Sequence, residues 1–201
     1  MSTDPSDVDD AIGCNRRPEV ESPGLGPLTT PELLLECIDT QANITKNLKM
    51  GYSIDSATWP EGVIIPTEVK ILIERFFQTV DTNRDDAGDI LADELFDENG
   101  VAYFGAHPFR GPEEIRKSRA HAWDAIETRK HKVLRVYTRA PDCNDLLFVA
   151  HVAMGLKNGK SVDGEFVGRF TISNAESKGP KLSLYQVWGD TSALRAALEE
   201  K

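Results

Sequence analysis

Residues 145–156 of this 201-residue chain read Asp-Leu-Leu-Phe-Val-Ala-His-Val-Ala-Met-Gly-Leu, a long run in which apolar residues occupy both alternating sets. Three more strand-like runs lie beside it in the sequence, at residues 130–139, 161–173 and 181–190. The four runs are consecutive and follow helix-like stretches instead of alternating with them, which is typical of an α+β domain. We therefore predict a curved antiparallel sheet that wraps around N-terminal helices and encloses a pocket.

Three helices are expected ahead of this sheet. Residues 67–82 carry apolar side chains at the spacing of a broad helical stripe, and residues 85–96 suit a shorter helix. A third helix is predicted to start at Gly111 and to carry Ile115, Ala122, Trp123 and Ile126. A short strand is expected at 101–104, and a capped helix is expected to follow the sheet.

The N-terminal part of the chain has a different composition. Residues 1–27 are rich in Asp, Ser, Pro and Gly, and we interpret them as a disordered tail. Residues 28–62 are interpreted as a helical extension, with its helix at 31–48, followed by a linker that contains Pro60 and Gly62. The folded domain is then predicted to span residues 63–201.

The net charge and the cysteine content argue against several classes of function. The net charge of −10 argues against nucleic-acid binding, and the basic residues between 110 and 139 are interpreted as solvated faces because they alternate with apolar ones. Cys14, Cys37 and Cys143 are odd in number and widely spaced, which favours a reducing compartment. There is neither a signal-peptide pattern nor an apolar run approaching about 20 residues, so a cytoplasmic protein without a membrane partner is expected. The four histidines lack metal-ligand spacing, and no metal is expected.

The strand at 145–156 is apolar on both alternating sets apart from His151, so both faces of the sheet should be buried. One face can cover the helices, and a second copy of the chain is the simplest cover for the other. A homodimer through the outer sheet face is therefore predicted.

The pattern also carries a resemblance. The order of elements, the connection 105–111 before Glu113-Glu114-Ile115, the hairpin at 156–160 and the closing Leu-Tyr-Gln-Val-Trp-Gly-Asp at 184–190 resemble SnoaL-like proteins of the nuclear transport factor 2-like superfamily. The resemblance covers about residues 66–198 and is greatest to small fungal members. It implies a cone-shaped α+β barrel with a deep pocket, often dimeric. Its known enzymes include polyketide cyclases, ketosteroid isomerase, limonene-epoxide hydrolase and scytalone dehydratase, beside members without catalysis.

Candidate catalytic residues follow from this resemblance and from the strand pattern. Asp81 and His131 resemble in position an aspartate and a histidine of scytalone dehydratase, and an acid and an imidazole in a dry pocket can exchange protons. Alternatively, both side chains lie at the surface. His151 interrupts an apolar strand and is either a general base or a satisfied core or interface histidine.

Further side chains are predicted to bind substrate. Tyr103 lies near the position of the isomerase base and could donate a hydrogen bond, or be an ordinary strand aromatic. Glu165 and Arg169 share one face of their strand, either the pocket face or the outer face. Val187 stands where the resemblance implies an aspartate in the cyclases and the epoxide hydrolase. The remaining predicted pocket residues are Phe77, Trp123 and Tyr185.

Two functions fit these residues. The first is a cofactor-independent cyclase, isomerase or dehydratase that acts by proton transfer on a hydrophobic polyketide or terpenoid intermediate of secondary metabolism. The second is a non-catalytic protein of the same fold that binds a small ligand or assembles as a dimer. Val187, which replaces the expected carboxylate, favours the second.

Overall fold

The computed structural model describes residues 51–176 and 179–199, so the tail and the helix expected within residues 1–50 lie outside the described residues. The helices are α1 (Thr67–Asp81), α2 (Ala87–Asp89, continued by the π-helical segment Ile90–Leu95), α3 (Gly111–Lys117) and α4 (Ser192–Glu199). The strands are β1 (Phe96–Ala102), β2 (Phe109–Arg110), β3 (Ile126–Thr138), β4 (Asp145–Leu156), β5 (Ser161–Ser173) and β6 (Lys181–Gly189).

The strands form a single curved, unclosed sheet in the order β2-β1-β6-β5-β4-β3. Strands β3 to β6 pair antiparallel in sequence order, as the four consecutive runs predict. The β1–β6 pair is parallel, so the sheet is mixed and not wholly antiparallel as expected. Register shifts in β3 and between β5 and β6 bend the sheet, which gives the α+β cone its concave inner face.

Helix α1 fills the concave face of the sheet. Its apolar stripe is buried as the spacing predicts, with Phe76 and Phe77 at 0 % exposure. The Phe76 ring centre lies 5.1 Å from that of Phe170 on β5 and 4.7 Å from that of Tyr185 on β6. Edge-to-face and tilted contacts of this kind add to the free energy of burial. The helix is thereby fixed against the middle of the sheet, with its last residue, Asp81, beside β3.

The residues before α1 are also packed against this domain. Glu74 of α1 is fully buried, and its carboxylate accepts hydrogen bonds from the backbone N–H of Ser53 (3.1 Å) and Ile54 (3.2 Å) and from the Ser53 hydroxyl (2.7 Å). Ile54 joins the hydrophobic core, and Thr58 bridges to Arg135 of β3. Residues 52–58, which the sequence analysis assigns to a linker, therefore lie on the sheet and helix that surround the cavity.

The third helix is shorter than predicted. Helix α3 ends at Lys117, where the Ser118 hydroxyl donates to the carbonyl of Ile115 at 2.6 Å and turns follow. Ile126 already belongs to β3. The turns that follow α3 place Arg119 toward the inside of the cone. In the part of the chain that the structure describes, no helix is both long and apolar enough to cross a membrane.

Candidate active site

A cavity of about 740 Å³ lies between α1, the concave face of β3 to β6, the β1–β2 connection and α4. This volume suits a small organic ligand. Its wall is largely apolar and includes Phe76, Val80, Phe104, Val152, Met154, Val162, Phe166, Val187 and Leu194. Polar side chains lie at the mouth and also deeper in the cavity, where the end of α1 meets the start of β3.

Asp81 and His131 form a contact at this polar side. The side chain of Asp81 is completely buried and that of His131 is 13 % exposed. The Nδ1 atom of His131 makes a short hydrogen bond to Asp81 Oδ1, and the backbone N–H of His131 donates to Oδ2 at 2.7 Å. His131 lines the cavity and packs against the rings of Phe77 and Phe166, at 5.1 and 5.5 Å between ring centres. The structure therefore brings the two predicted residues together in the cavity and not at the surface.

This contact selects the histidine tautomer. A neutral imidazole whose Nδ1–H donates to a carboxylate keeps its Nε2 lone pair as the acceptor. No described residue makes a hydrogen bond to Nε2 of His131. The arrangement has two of the three parts of a catalytic triad: a buried carboxylate that orients the ring, and an imidazole that can take and return a proton.

Two further side chains hold Asp81. The Tyr52 hydroxyl donates to Asp81 Oδ2 at 3.3 Å, and burial together with the Asp81 charge raises the pKa of Tyr52 to about 12. Arg129 places Nε at 3.6 Å from Asp81 Oδ1, and its Nη2 donates to the carbonyl of Val80. Burial lowers the pKa of Arg129, and the Asp81 carboxylate opposes that change. At neutral pH Tyr52 is therefore a hydrogen-bond donor and Arg129 a cation.

Arg119 and Tyr185 line the same cavity. Burial lowers the pKa of Arg119 to about 10, and the positive charge of Arg129 adds to the effect. Burial raises the pKa of Tyr185 well above its usual value, while Arg119 and Arg129 act in the opposite direction. The Tyr185 hydroxyl has no hydrogen-bond partner in residues 51–176 and 179–199. It is thus a neutral donor at the cavity wall.

Of the other predicted pocket residues, two line the cavity and two pack behind residues that line it. Tyr103 and Val187 line the cavity directly. Phe77 lies one layer deeper and supports the His131 ring. Trp123 lies behind Arg129, whose guanidinium carbon is 4.5 Å from the centre of the Trp123 ring. This cation–π contact stabilises a buried guanidinium, so Trp123 positions Arg129 and does not itself line the cavity.

His151 and Arg169 belong to the outer face of the sheet, and Glu165, in the same alternating set, lies where that face meets the cavity mouth. His151 alternates with the inward-facing Ala150 and Val152, and its Nε2 lies 3.4 Å from the exposed Asp163. Its prediction as a catalytic base is therefore corrected, because it does not reach the cavity. Glu165 is exposed at the cavity mouth and is paired across the strands with His151. Arg169 donates Nε and Nη2 to Asp145 at 2.8 and 2.9 Å, so the outer-face alternative is the correct one for it.

Arg119, Arg129 and Tyr52 are site residues that the sequence analysis missed. The two arginines fall in the basic segment that was interpreted as solvated, and their burial depends on turns after α3 and on the inward face of β3. Tyr52 falls in the predicted linker. No local pattern distinguishes these side chains from surface ones. Among the described residues, no group of three His, Cys, Asp or Glu side chains could hold a metal ion.

Comparison with known proteins shows the fold. No family model matches the chain, and no curated protein matches its sequence. Among solved structures, a candidate polyketide cyclase from Bacillus cereus has a TM-score of 0.54 at 13 % identity, covering 76 % of this chain and 94 % of its own. A candidate SnoaL-like polyketide cyclase from Jannaschia has a TM-score of 0.53 at 13 % identity, covering 71 % and 99 %. A nuclear transport factor 2-like protein of unknown function from Burkholderia pseudomallei has a TM-score of 0.53 at 12 % identity, covering 67 % and 100 %.

The chain has the nuclear transport factor 2-like fold. The fold expected from the resemblance is confirmed, whereas similarity to the fungal members stays a prediction. At these identities the likeness describes the backbone and not the chemistry. The chemistry therefore depends on the side chains around the cavity.

Proposed function

We propose that this protein is a cofactor-independent enzyme that moves protons on a hydrophobic polyketide or terpenoid intermediate of secondary metabolism. The observation that carries the proposal is the hydrogen-bonded Asp81–His131 pair at the wall of a 740 Å³ cavity. The residues around it are mainly apolar, which suits such a substrate and strengthens charge interactions inside the cavity.

The chemistry would use His131 as general base and then as general acid. Nε2 takes a proton from a carbon next to a carbonyl group, and the electron pair moves to the carbonyl oxygen as an enolate. Asp81 stabilises the imidazolium that forms. The Tyr185 hydroxyl supports the enolate oxygen with a hydrogen bond. Return of the proton to another carbon gives isomerisation, and its transfer to a departing hydroxyl gives dehydration with release of water.

The test needs a substrate first. Deletion of the gene, followed by metabolite profiling, should reveal an accumulating compound that the purified protein converts. We expect His131→Asn and Asp81→Asn to lower kcat by about 100- to 10,000-fold, as removal of a positioned acid–base group does. His121→Asn is the control, because His121 is exposed and contacts only Asp124 in the described structure. Full activity of His131→Asn on the accumulated compound would overturn the proposal.

A second candidate function is ligand binding without catalysis, in a dimeric protein. It is favoured by Val187, which lines the cavity where the resemblance implies an aspartate. It is also favoured by exposed apolar side chains on the outer face of the sheet: Tyr137 is 44 % exposed, Leu147 42 % and Trp188 50 %. We propose that this face pairs with a second copy of the chain in either case.

A further inference from the structure

Arg119 is a half-buried cation at the cavity wall that forms no ion pair with a described residue. Its Nε and Nη2 atoms are shielded from solvent and have no hydrogen-bond partner within residues 51–176 and 179–199. Its guanidinium carbon lies 5.0 Å from the centre of the Phe104 ring, a contact that favours the cation but does not satisfy its N–H groups. Unpaired donors on a buried charge are costly, so a partner that reached them would be bound strongly.

The charge of Asp81 acts on Arg119 only from a distance, and no carboxylate of the described residues pairs with it. Arg129 and His131 face the cavity from β3, and Asp81, at the end of α1, lies behind them in contact with both. Asp81 is already engaged by His131 and Arg129. The acidic residues at the mouth, Asp163, Glu165 and Asp190, have exposed side chains. The interior therefore holds two guanidinium groups against one carboxylate, an excess of positive charge that favours an anionic ligand.

The unpaired atoms also indicate which kind of anion would fit. On the outer face, Arg169 gives the same two nitrogens, Nε and Nη2, to the two oxygens of Asp145 at 2.8 and 2.9 Å. That pairing matches the planar geometry of a carboxylate. Arg119 has this same edge of its guanidinium unpaired.

We propose that the cavity binds a hydrophobic carboxylic acid in its ionised form, with the carboxylate on Arg119 and the apolar part against Val152, Met154 and Phe166. The inference rests on the proposed function, because it names hydrophobic carboxylic acids as the substrate class of the Asp81–His131 pair. It distinguishes a carboxylate substrate from a neutral polyketide or terpenoid of the same size.

The test compares two probes of nearly equal shape, 2-naphthoate and its neutral amide, 2-naphthamide. Binding of each to the full chain is measured by titration calorimetry near neutral pH. We expect wild type to prefer the carboxylate by about 10- to 100-fold, the range for a hydrogen-bonded charge pair. Arg119→Met should abolish the preference, and Arg119→Lys should keep part of it. Arg135→Gln, on the exposed side of β3, should leave it unchanged.

Equal affinity for the two probes in wild type, no binding of 2-naphthoate at millimolar concentration, or an unchanged preference in Arg119→Met would each overturn the inference. Thermal unfolding serves as the folding control, and Arg119→Met should unfold no lower than wild type, because an unpaired buried charge has been removed. The probes undergo no reaction, so the result is independent of catalysis. His131→Asn should keep the carboxylate preference, which separates failure of this inference from failure of the proposed proton transfer.

Discussion

The Asp81–His131 contact joins the last residue of α1 to the inner face of an edge strand. Two hydrogen bonds reach Asp81 from His131, one from the ring and one from the backbone N–H, so the carboxylate fixes both the ring and the strand. A surface ion pair would lack this double attachment and the complete burial of the carboxylate. This geometry orients the His131 ring before substrate arrives, as a general base requires.

Arg119 gives a prediction about pH. Burial lowers its pKa to about 10, so its cation is present below that pH and is lost as the pH rises through it. Affinity for 2-naphthoate should therefore be constant from about pH 7 to 9 and fall by roughly tenfold or more by about pH 11. Titration calorimetry of both probes across this range is the measurement, and 2-naphthamide affinity should not follow the same curve. A carboxylate affinity that persists unchanged to about pH 11 would contradict the role given to Arg119.

Glu74, a residue of helix α1, attaches the segment that precedes α1 to this helix. Its buried carboxylate accepts from the backbone of residues 52–54, and these residues in turn place Tyr52 beside Asp81. A buried carboxylate is stable there because its oxygens are satisfied by N–H and O–H donors. This one side chain of α1 thus connects the stability of the segment with the geometry of the site.

Glu74→Gln should lower the free energy of unfolding by about 2–4 kcal/mol, because the new amide N–H₂ faces donors and leaves them unpaired. The melting temperature should fall by roughly 5–15 °C for a domain of this size. Thermal unfolding by circular dichroism is the measurement. Glu68→Gln is the matched control on the same helix, since Glu68 has no hydrogen bond or ion pair within the described residues, and it should change stability little. Equal melting temperatures for the two variants would show that the buried carboxylate does not hold the segment.

The elements themselves were largely predictable from sequence where the pattern is local. Strands β4 and β5 have the predicted bounds, because their apolar alternation is interrupted by turn residues at both ends. Helix α3 was predicted too long because Ala122, Trp123 and Ile126 also fit a helical spacing. Only tertiary packing decides that the chain turns at Ser118 and places Ile126 in a strand.

The candidate active site was predictable from the sequence only in part. Asp81 and His131 followed from a resemblance in position, and the structure brings them together. For His151 the sequence left a general base and a core or interface histidine open, because a strand that is apolar on both alternating sets does not reveal which set meets the helices. The buried arginines could not be predicted, since an Arg in a basic segment is usually solvated and its burial depends on distant residues. The sequence therefore predicted the fold and its cavity better than it predicted the polar side chains inside that cavity.

The outer sheet face gives the prediction for the assembled molecule. Tyr137 and Leu147 lie opposite each other on β3 and β4, Val149 and Val167 continue the apolar row across β4 and β5, and Trp188 completes it on β6. An apolar row that runs across four strands is suited to a two-fold interface, in which the patch of one copy packs against the same patch of the other.

We expect light scattering at micromolar concentration to give twice the 22.2 kDa of one chain. Leu147→Lys places a charge within the row and should shift the mass to that of one chain, because an unpaired charge in an apolar interface is costly to desolvate. Ile64→Lys is the matched control: Ile64 is 91 % exposed and lies outside the row, so the same change there should leave the dimer intact. A monomeric mass for wild type, or a dimer that survives Leu147→Lys, would mean that this face has another role. Since Leu147 lies on the opposite face of the sheet from His131 and does not line the cavity, dissociation by Leu147→Lys should leave 2-naphthoate binding within about twofold of wild type.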